Sequence, residues 1–256
     1  LVIFDRFSLE NANMVIFSKS GGGKSYAAKL EALRLMMTGA DVIVIDPERE
    51  YQPLAEAVGG SFISISLASP HHVNPFDIPR VGDDESPEDA LKSHIANLAG
   101  LVKIMVGAIS PEEEAILDRG ISETYALRDI VPGKDFSGKE APVLSDLETV
   151  LRGLDGGKGI AERLYRFTGG SYAGFTNLPT NVDLDNRFIV FSIRDLEDGL
   201  RPVAMYLVLH FIWNIVKGTL KKRALLVDEA WWLMQHPEGA LFLFGLVKRA
   251  RKYFLG

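Results

Sequence analysis

Short apolar runs recur along this chain: Met14–Phe17, Asp41–Ile45, Ser61–Ser66, Arg187–Ser192 and Leu225–Val227. Met14–Phe17 and Leu225–Val227 are continuous rather than alternating, the pattern of strands buried on both faces as in a parallel sheet. Between the early runs the apolar period lengthens to that of a helix. Lys24–Met37 reads as one helix and Leu54–Val58 as a shorter one. The order strand, loop, helix, strand, helix, strand predicts an α/β fold with a mostly parallel sheet and right-handed crossovers.

The character changes after Asn74-Pro75-Phe76. Ser86-Pro87-Glu88-Asp89 opens a helical pattern to about Val106, and Ser110-Pro111-Glu112-Glu113 opens another to about Leu127. Both place Ser at the N-cap, Pro at the first helical position and an acid at the third. Ser145 with Glu148 predicts a third helix, and Gly159 to Phe167 a fourth, with a polar loop from Pro132 to Pro142 before them. Residues 80–170 are thus expected to form an all-helical insertion lobe within a nucleotide-binding core made of 1–79 and 171–256. An apolar helix from about Leu200 to Val216 and a last helix from about Gly239 to Lys252 flank the Leu225–Val227 run. No internal repeat is visible.

Composition narrows the class. The chain has 256 residues, 47% of them hydrophobic, enough for a large core. A net charge of −6 speaks against broad nonspecific binding to nucleic acid, while leaving room for a local basic face. Zero cysteines exclude disulfides and thiolate metal sites. The histidines at 71, 72, 94, 210 and 236 lack metal-ligand spacing. No signal peptide is visible, and the stretch Val203–Val216 is short for a bilayer span. The chain opens on Leu1 and stops just after Tyr253-Phe254-Leu255, which reads as the start of another strand. A piece of a longer protein is expected.

Two segments carry chemistry. In Ser18-Lys19-Ser20-Gly21-Gly22-Gly23-Lys24-Ser25-Tyr26 the glycines allow backbone N–H groups to turn inward around an anion, and the helix that follows points its positive end at the same place. Ser20, Gly21, Gly22, Gly23, Lys24, Ser25 and Tyr26 are the expected phosphate-binding residues, with Lys24 reaching the β- and γ-phosphates and the Ser25 hydroxyl on Mg2+. Ser18 stands where the usual phosphate-loop pattern has its first glycine. A glycine-rich turn capping an ordinary helix would share the bare pattern, but not the apolar run before it. The second segment is Val227-Asp228-Glu229-Ala230-Trp231-Trp232. A carboxylate pair at the end of a strand lies where ligands bind in open α/β sheets. Asp228 is the expected Mg2+ ligand, and Glu229, with Lys24, the expected catalytic group, the glutamate activating water. ATP and Mg2+ are the implied cofactors.

Other positions stay open. Asp46 and Glu50, in Asp46-Pro47-Glu48-Arg49-Glu50-Tyr51, either approach the nucleotide or only build a turn. Arg194, Arg201, Arg249 and Arg251 are candidates for an arginine finger acting in trans, and the sequence does not choose among them. The cluster Lys248, Arg249, Arg251 and Lys252 either complements a helix dipole or meets a phosphate. Trp231 and Trp232 either pack a helix start or face a partner.

These stretches resemble the C-terminal ATPase domain of the VirB-four and TraC class of type IV secretion ATPases, in the HerA and FtsK branch of P-loop motors. The matching residues are Phe7–Asn13 leading into the phosphate loop, Ile45–Tyr51, Val73–Ile78, Leu184–Leu196, Val227–Met234 and Lys248–Tyr253. The resemblance implies a RecA-like core with a helical lobe and a motor that hydrolyses ATP to drive substrate transfer or pilus assembly. It implies a cytoplasmic place against the membrane without a transmembrane segment, a homo-oligomer such as a hexamer, other secretion-system components as partners, and DNA or protein as substrate. It also implies a further strand after Gly256. A DNA translocase or conjugative coupling protein of the same branch, a nucleotide-fixed assembly platform and a small-molecule kinase are the alternatives. Glu229 and the lack of an acceptor lid speak against the last.

Overall fold

The computed structural model describes residues 6–19, 21–82 and 85–256. The helix α1 (Lys24–Met37) leads to β1 (Asp41–Asp46), α2 (Gln52–Ala57) and β2 (Ser61–Ser64). Four helices follow: α3 (Pro87–Val106), α4 (Pro111–Ala126), α5 (Leu144–Gly153) and α6 (Lys158–Thr168). The chain then returns through β3 (Phe188–Ser192), α7 (Arg201–Lys217), β4 (Arg223–Val227), α8 (Trp231–Met234) and α9 (Pro237–Ala250).

The four strands form one sheet in the order β2-β3-β1-β4, with every pairing parallel. Burial on both faces explains the continuous apolar runs of the two central strands β1 and β3. Val42 and Val44 of β1, with Phe188 and Val190 of β3, pack on one side with Ala32, Leu35 and Ala55 from α1 and α2. Ile43, Ile45, Ile189 and Phe191 point the other way, into a second core beneath α7. That helix, with the turn before it, is long and apolar enough to cross a membrane by length and composition, yet 83% of its apolar window is buried inside the protein.

Sequence capping set the helical segment. Ser86 accepts the Asp89 N–H, and Ser110 accepts that of Glu113 while the Glu113 carboxylate accepts the Ser110 N–H. The expected start of α5 at Ser145 is displaced. Its N-cap is Val143, whose N–H donates to Asp146 Oδ2 at 3.0 Å, so an acid at N3 does the work assigned to the serine. The helix α3 packs against α7 and α9 as well as α4 and α6, and one apolar cluster runs through all of these elements. Polar ties reinforce it: Tyr125 donates to the Phe76 carbonyl at 3.1 Å and Tyr206 to the Asn97 carbonyl at 2.8 Å. Asn74 joins distant loops by donating to the Pro142 carbonyl (2.8 Å) and accepting the Phe76 N–H (3.0 Å).

The expected strand Met14–Phe17 does not form. Its segment has no strand pairing, and Met14, Val15 and Phe17 are 51%, 74% and 91% exposed. A strand needs a neighbour, and the free edge of β4 is paired instead by the last residues described. Arg223 N–H donates to the Phe254 carbonyl (3.0 Å), Leu225 N–H to Gly256 (2.9 Å), and Gly256 N–H back to Arg223 (3.0 Å). Leu255 forms a parallel bridge with Arg223, so the strand-like ending read from Tyr253-Phe254-Leu255 does begin to pair. Ala12 packs against Gly256, and residues 14–17 run on past the last paired residue.

Candidate nucleotide site

Parallel strands deliver their following loops to one edge, and here the turns after β1, β3 and β4 meet the start of α1 there. The register pairs Ile45 with Val227, and the Asp228 N–H continues the ladder by donating to the Ile45 carbonyl at 3.1 Å. Asp46 and Asp228 therefore leave adjacent strands side by side.

The glycine loop adopts conformations that side chains resist. Gly21 and Gly23 have φ of 75° and 83°. At Gly22 an added Cβ would lie 2.9 Å from the Lys19 carbonyl and 3.1 Å from Ser18 Cβ. Ser18 thus sits against the turn, its hydroxyl bonded to the Lys19 carbonyl at 3.1 Å. Ser20 lies outside the described residues. Gly23 caps α1, Ser25 is half-buried in its first turn, and Tyr26 points outward at 75% exposure.

Lys24 connects the two predicted segments across the sequence. Its Nζ lies 3.0 Å from Asp228 Oδ1 and pairs still more closely with Glu229 Oε1. Glu229 holds the Lys24 ammonium above the ordinary lysine range, against an opposing effect of burial, with Asp228 adding to the rise. In return the Lys24 hydrogen bond holds the Glu229 carboxyl below its usual range, and the Trp231 indole adds to that. Asp228 Oδ1 also accepts the Glu229 N–H at 2.9 Å. Glu229 itself has φ 50°, a left-handed backbone that a glutamate adopts only when its surroundings enforce it.

Asp46 is different. It is fully buried and accepts the N–H groups of Glu48 (3.2 Å), Glu50 (3.1 Å) and Tyr51 (2.8 Å). Burial raises its carboxyl above the usual range, those donors oppose the rise, and the charge of Asp228 adds to it. Of the two readings of Asp46, its contacts are those of turn construction. Glu50 stands at the rim, 3.5 Å from Lys29.

The four candidate arginines fall into two places. Arg194 follows β3 and is exposed at the same edge as the site. Arg201 starts α7, pairs with Glu48 (3.1 Å) and Asp198 (3.6 Å), and lies over Trp232. Arg249 and Arg251 end α9, near the opposite end of β4, where Phe254 meets Arg223. They line a cleft of about 690 Å³ with Lys248, Lys252 and Lys217. Arg249 covers the Trp213 ring there. Trp231 and Trp232 do open a helix, the short α8, which buries Leu233.

A glycine-built anion cradle, a lysine at its helix start and an acidic pair at a neighbouring strand end define a P-loop nucleoside triphosphatase. Residues 3–127 match the family described as the TraG P-loop domain. The solved structure of VirB4 of Thermoanaerobacter pseudethanolicus superposes with a TM-score of 0.87 at 31% identity, covering 99% of this chain and 72% of that one. A comparison with curated proteins finds no match. The chain belongs to the VirB4 family and carries the ATPase motor domain of a type IV secretion or conjugation system.

Proposed function

We propose that this domain binds ATP with Mg2+ at the meeting of Lys24, Asp228 and Glu229 and hydrolyses it. The observation that carries the reading is the single ammonium of Lys24 reaching both acids from the mouth of the glycine cradle. The residues fit the cofactor. Gly21 and Gly23 leave the loop free of side chains on its inner turn, and the donor set is hard oxygen, as Mg2+ requires. Ser25 and Asp228 would hold the ion. When bound, the magnesium nucleotide supplies the electrophilic γ-phosphoryl group. With nucleotide bound, Lys24 would reach the phosphates, Asp228 would help hold the ion, and Glu229 would be free to orient the attacking water and take its proton.

The chain acts in a homo-oligomer, in the hexameric arrangement, with other secretion components at the cytoplasmic face of the membrane, moving DNA or protein. The motor divides into a core of 1–79 and 171–256 and a helical lobe of 80–170. The trans-acting finger is Arg194 or Arg251: Arg201 is committed to Glu48, Asp198 and Trp232, and Arg249 to Trp213, whereas Arg194 and Arg251 are exposed without an ion pair among the described residues. Lys24→Ala is the test of the site: nucleotide binding and turnover should both be lost, and turnover at the wild-type rate would remove the assignment.

A further inference from the structure

Glu229 has a second partner that a phosphate-loop site does not require. The indole Nε1–H of Trp231 donates to Glu229 Oε2 at 2.5 Å, while Lys24 holds the other oxygen. Each oxygen of the carboxylate is thereby assigned to a different neighbour. The two neighbours differ in kind. Lys24 is a flexible chain with three donors; the indole is a rigid plane with one.

The plane is itself fixed. Trp231 stacks on Trp232 with ring centroids 4.3 Å apart and an interplanar angle of 25°. The Arg201 guanidinium lies over Trp232, 5.3 Å from its ring centroid, and Arg201 reaches Glu48 at 3.1 Å. Beneath the pair, buried Leu233 anchors α8 against Gly239 at the start of α9. Glu229 is thus tied through two aromatic rings and a guanidinium to the turn that Asp46 builds after β1. Glu229 has a left-handed backbone, and the Trp232 N–H closes the turn on the Glu229 carbonyl at 3.1 Å.

We propose that Trp231 is a positioning residue for hydrolysis: its indole N–H fixes one oxygen of Glu229 so that the other faces the attacking water once Lys24 has moved to the phosphates. The inference rests on the assignment of Lys24 and Glu229 above. A rigid donor that stays in place while the lysine exchanges partners keeps the carboxylate from swinging with it, and misplacement of a catalytic group by about 1 Å costs up to about a hundredfold in rate. Arg201 and Trp232 support the ring rather than touch the carboxylate.

The test replaces Trp231 in the full protein in two ways: Trp231→Phe, and the isosteric benzothienylalanine, which keeps ring size and stacking but has no N–H. Both should lower kcat for ATP by roughly tenfold, the scale of one hydrogen bond to a charged group, while KM and ATP affinity stay within about twofold. A spectroscopic readout is independent of turnover. The ultraviolet resonance Raman band that reports indole hydrogen bonding should shift for Trp231 on Glu229→Gln, and the bands of Trp213 and Trp232 should not. The isostere covers the case in which the phenylalanine variant folds poorly. Wild-type kcat in the isostere, or a Trp231 band indifferent to Glu229, overturns the inference. If Lys24→Ala abolishes turnover while the isostere leaves it intact, this proposal alone falls; if Lys24→Ala is fully active, the site assignment beneath it falls instead.

Discussion

Two acidic turns leave adjacent strands at the same edge of the sheet, Asp46–Tyr51 after β1 and Asp228–Trp232 after β4, and they handle their carboxylates in opposite ways. Asp46 spends both oxygens on backbone N–H groups of its own turn and is buried. Asp228 and Glu229 meet the side chain of Lys24, which arrives from more than 200 residues away in sequence. Backbone donors cannot leave without unfolding the turn, whereas a lysine can exchange partners at little cost. The first turn is closed by its own backbone; the second, on the function proposed above, is free to take part in a reaction. Both begin with an aspartate at the end of an apolar strand, so only the partners distinguish them.

That contrast predicts which losses follow which substitutions. The largest is Lys24→Ala, with loss of ATP turnover by a factor of about a thousand or more and little change in melting temperature, because its ion pairs are partly exposed. Asp46→Ala should do the reverse. Leaving buried N–H groups without an acceptor costs about 3 kcal/mol, a fall of roughly 10 °C in Tm for a chain of this size, measurable by calorimetry. If Asp46→Ala kept its Tm but lost turnover, the two turns would have to exchange roles. Gly23→Ala should cost about 1 kcal/mol in stability for its positive φ, with a larger loss in ATP affinity, since the added Cβ sits on the cradle.

The smallest expected effect lies away from both turns. Burial pushes the Asp77 carboxyl up to about 6, against the Thr180 hydroxyl and Arg80, which lower it. The folded protein therefore binds a proton more readily than the unfolded chain. Stability attributable to this group is greatest below the unfolded value near 4, falls as pH rises toward 6, and stays at its lower level above. Asp77→Asn should flatten that slope between pH 4 and 6 and raise Tm at pH 7 by a few degrees at most. Urea titrations of both proteins across that window check it.

Much of this was legible because the residues involved act locally. Buried parallel strands announce themselves as continuous apolar runs, and the Ser-Pro-Glu starts of α3 and α4 are complete within their own sequence. That Lys24, Asp228 and Glu229 would come together was legible for a different reason: the glycine turn and the acidic strand end each call for particular residue types. What stayed hidden depends on neighbours. Met14–Phe17 has the composition of a strand, but pairing is decided by the β4 edge, where Phe254–Gly256 pairs instead. The start of α5 moved because Asp146, and not Ser145, reaches the free N–H. The three backbone hydrogen bonds that Asp46 accepts are not revealed by any spacing. The Trp231 indole on Glu229 requires a left-handed glutamate, and residue type gives no sign of that.

The central claim is that Glu229 activates water at a site where Lys24 and Asp228 bind the magnesium nucleotide. Its most direct test is a single-turnover measurement on Glu229→Gln with ATP and Mg2+ at enzyme excess, alongside equilibrium ATP binding. The account predicts wild-type ATP affinity with hydrolysis slowed by roughly a hundredfold or more. Hydrolysis at the wild-type rate with affinity unchanged would contradict it.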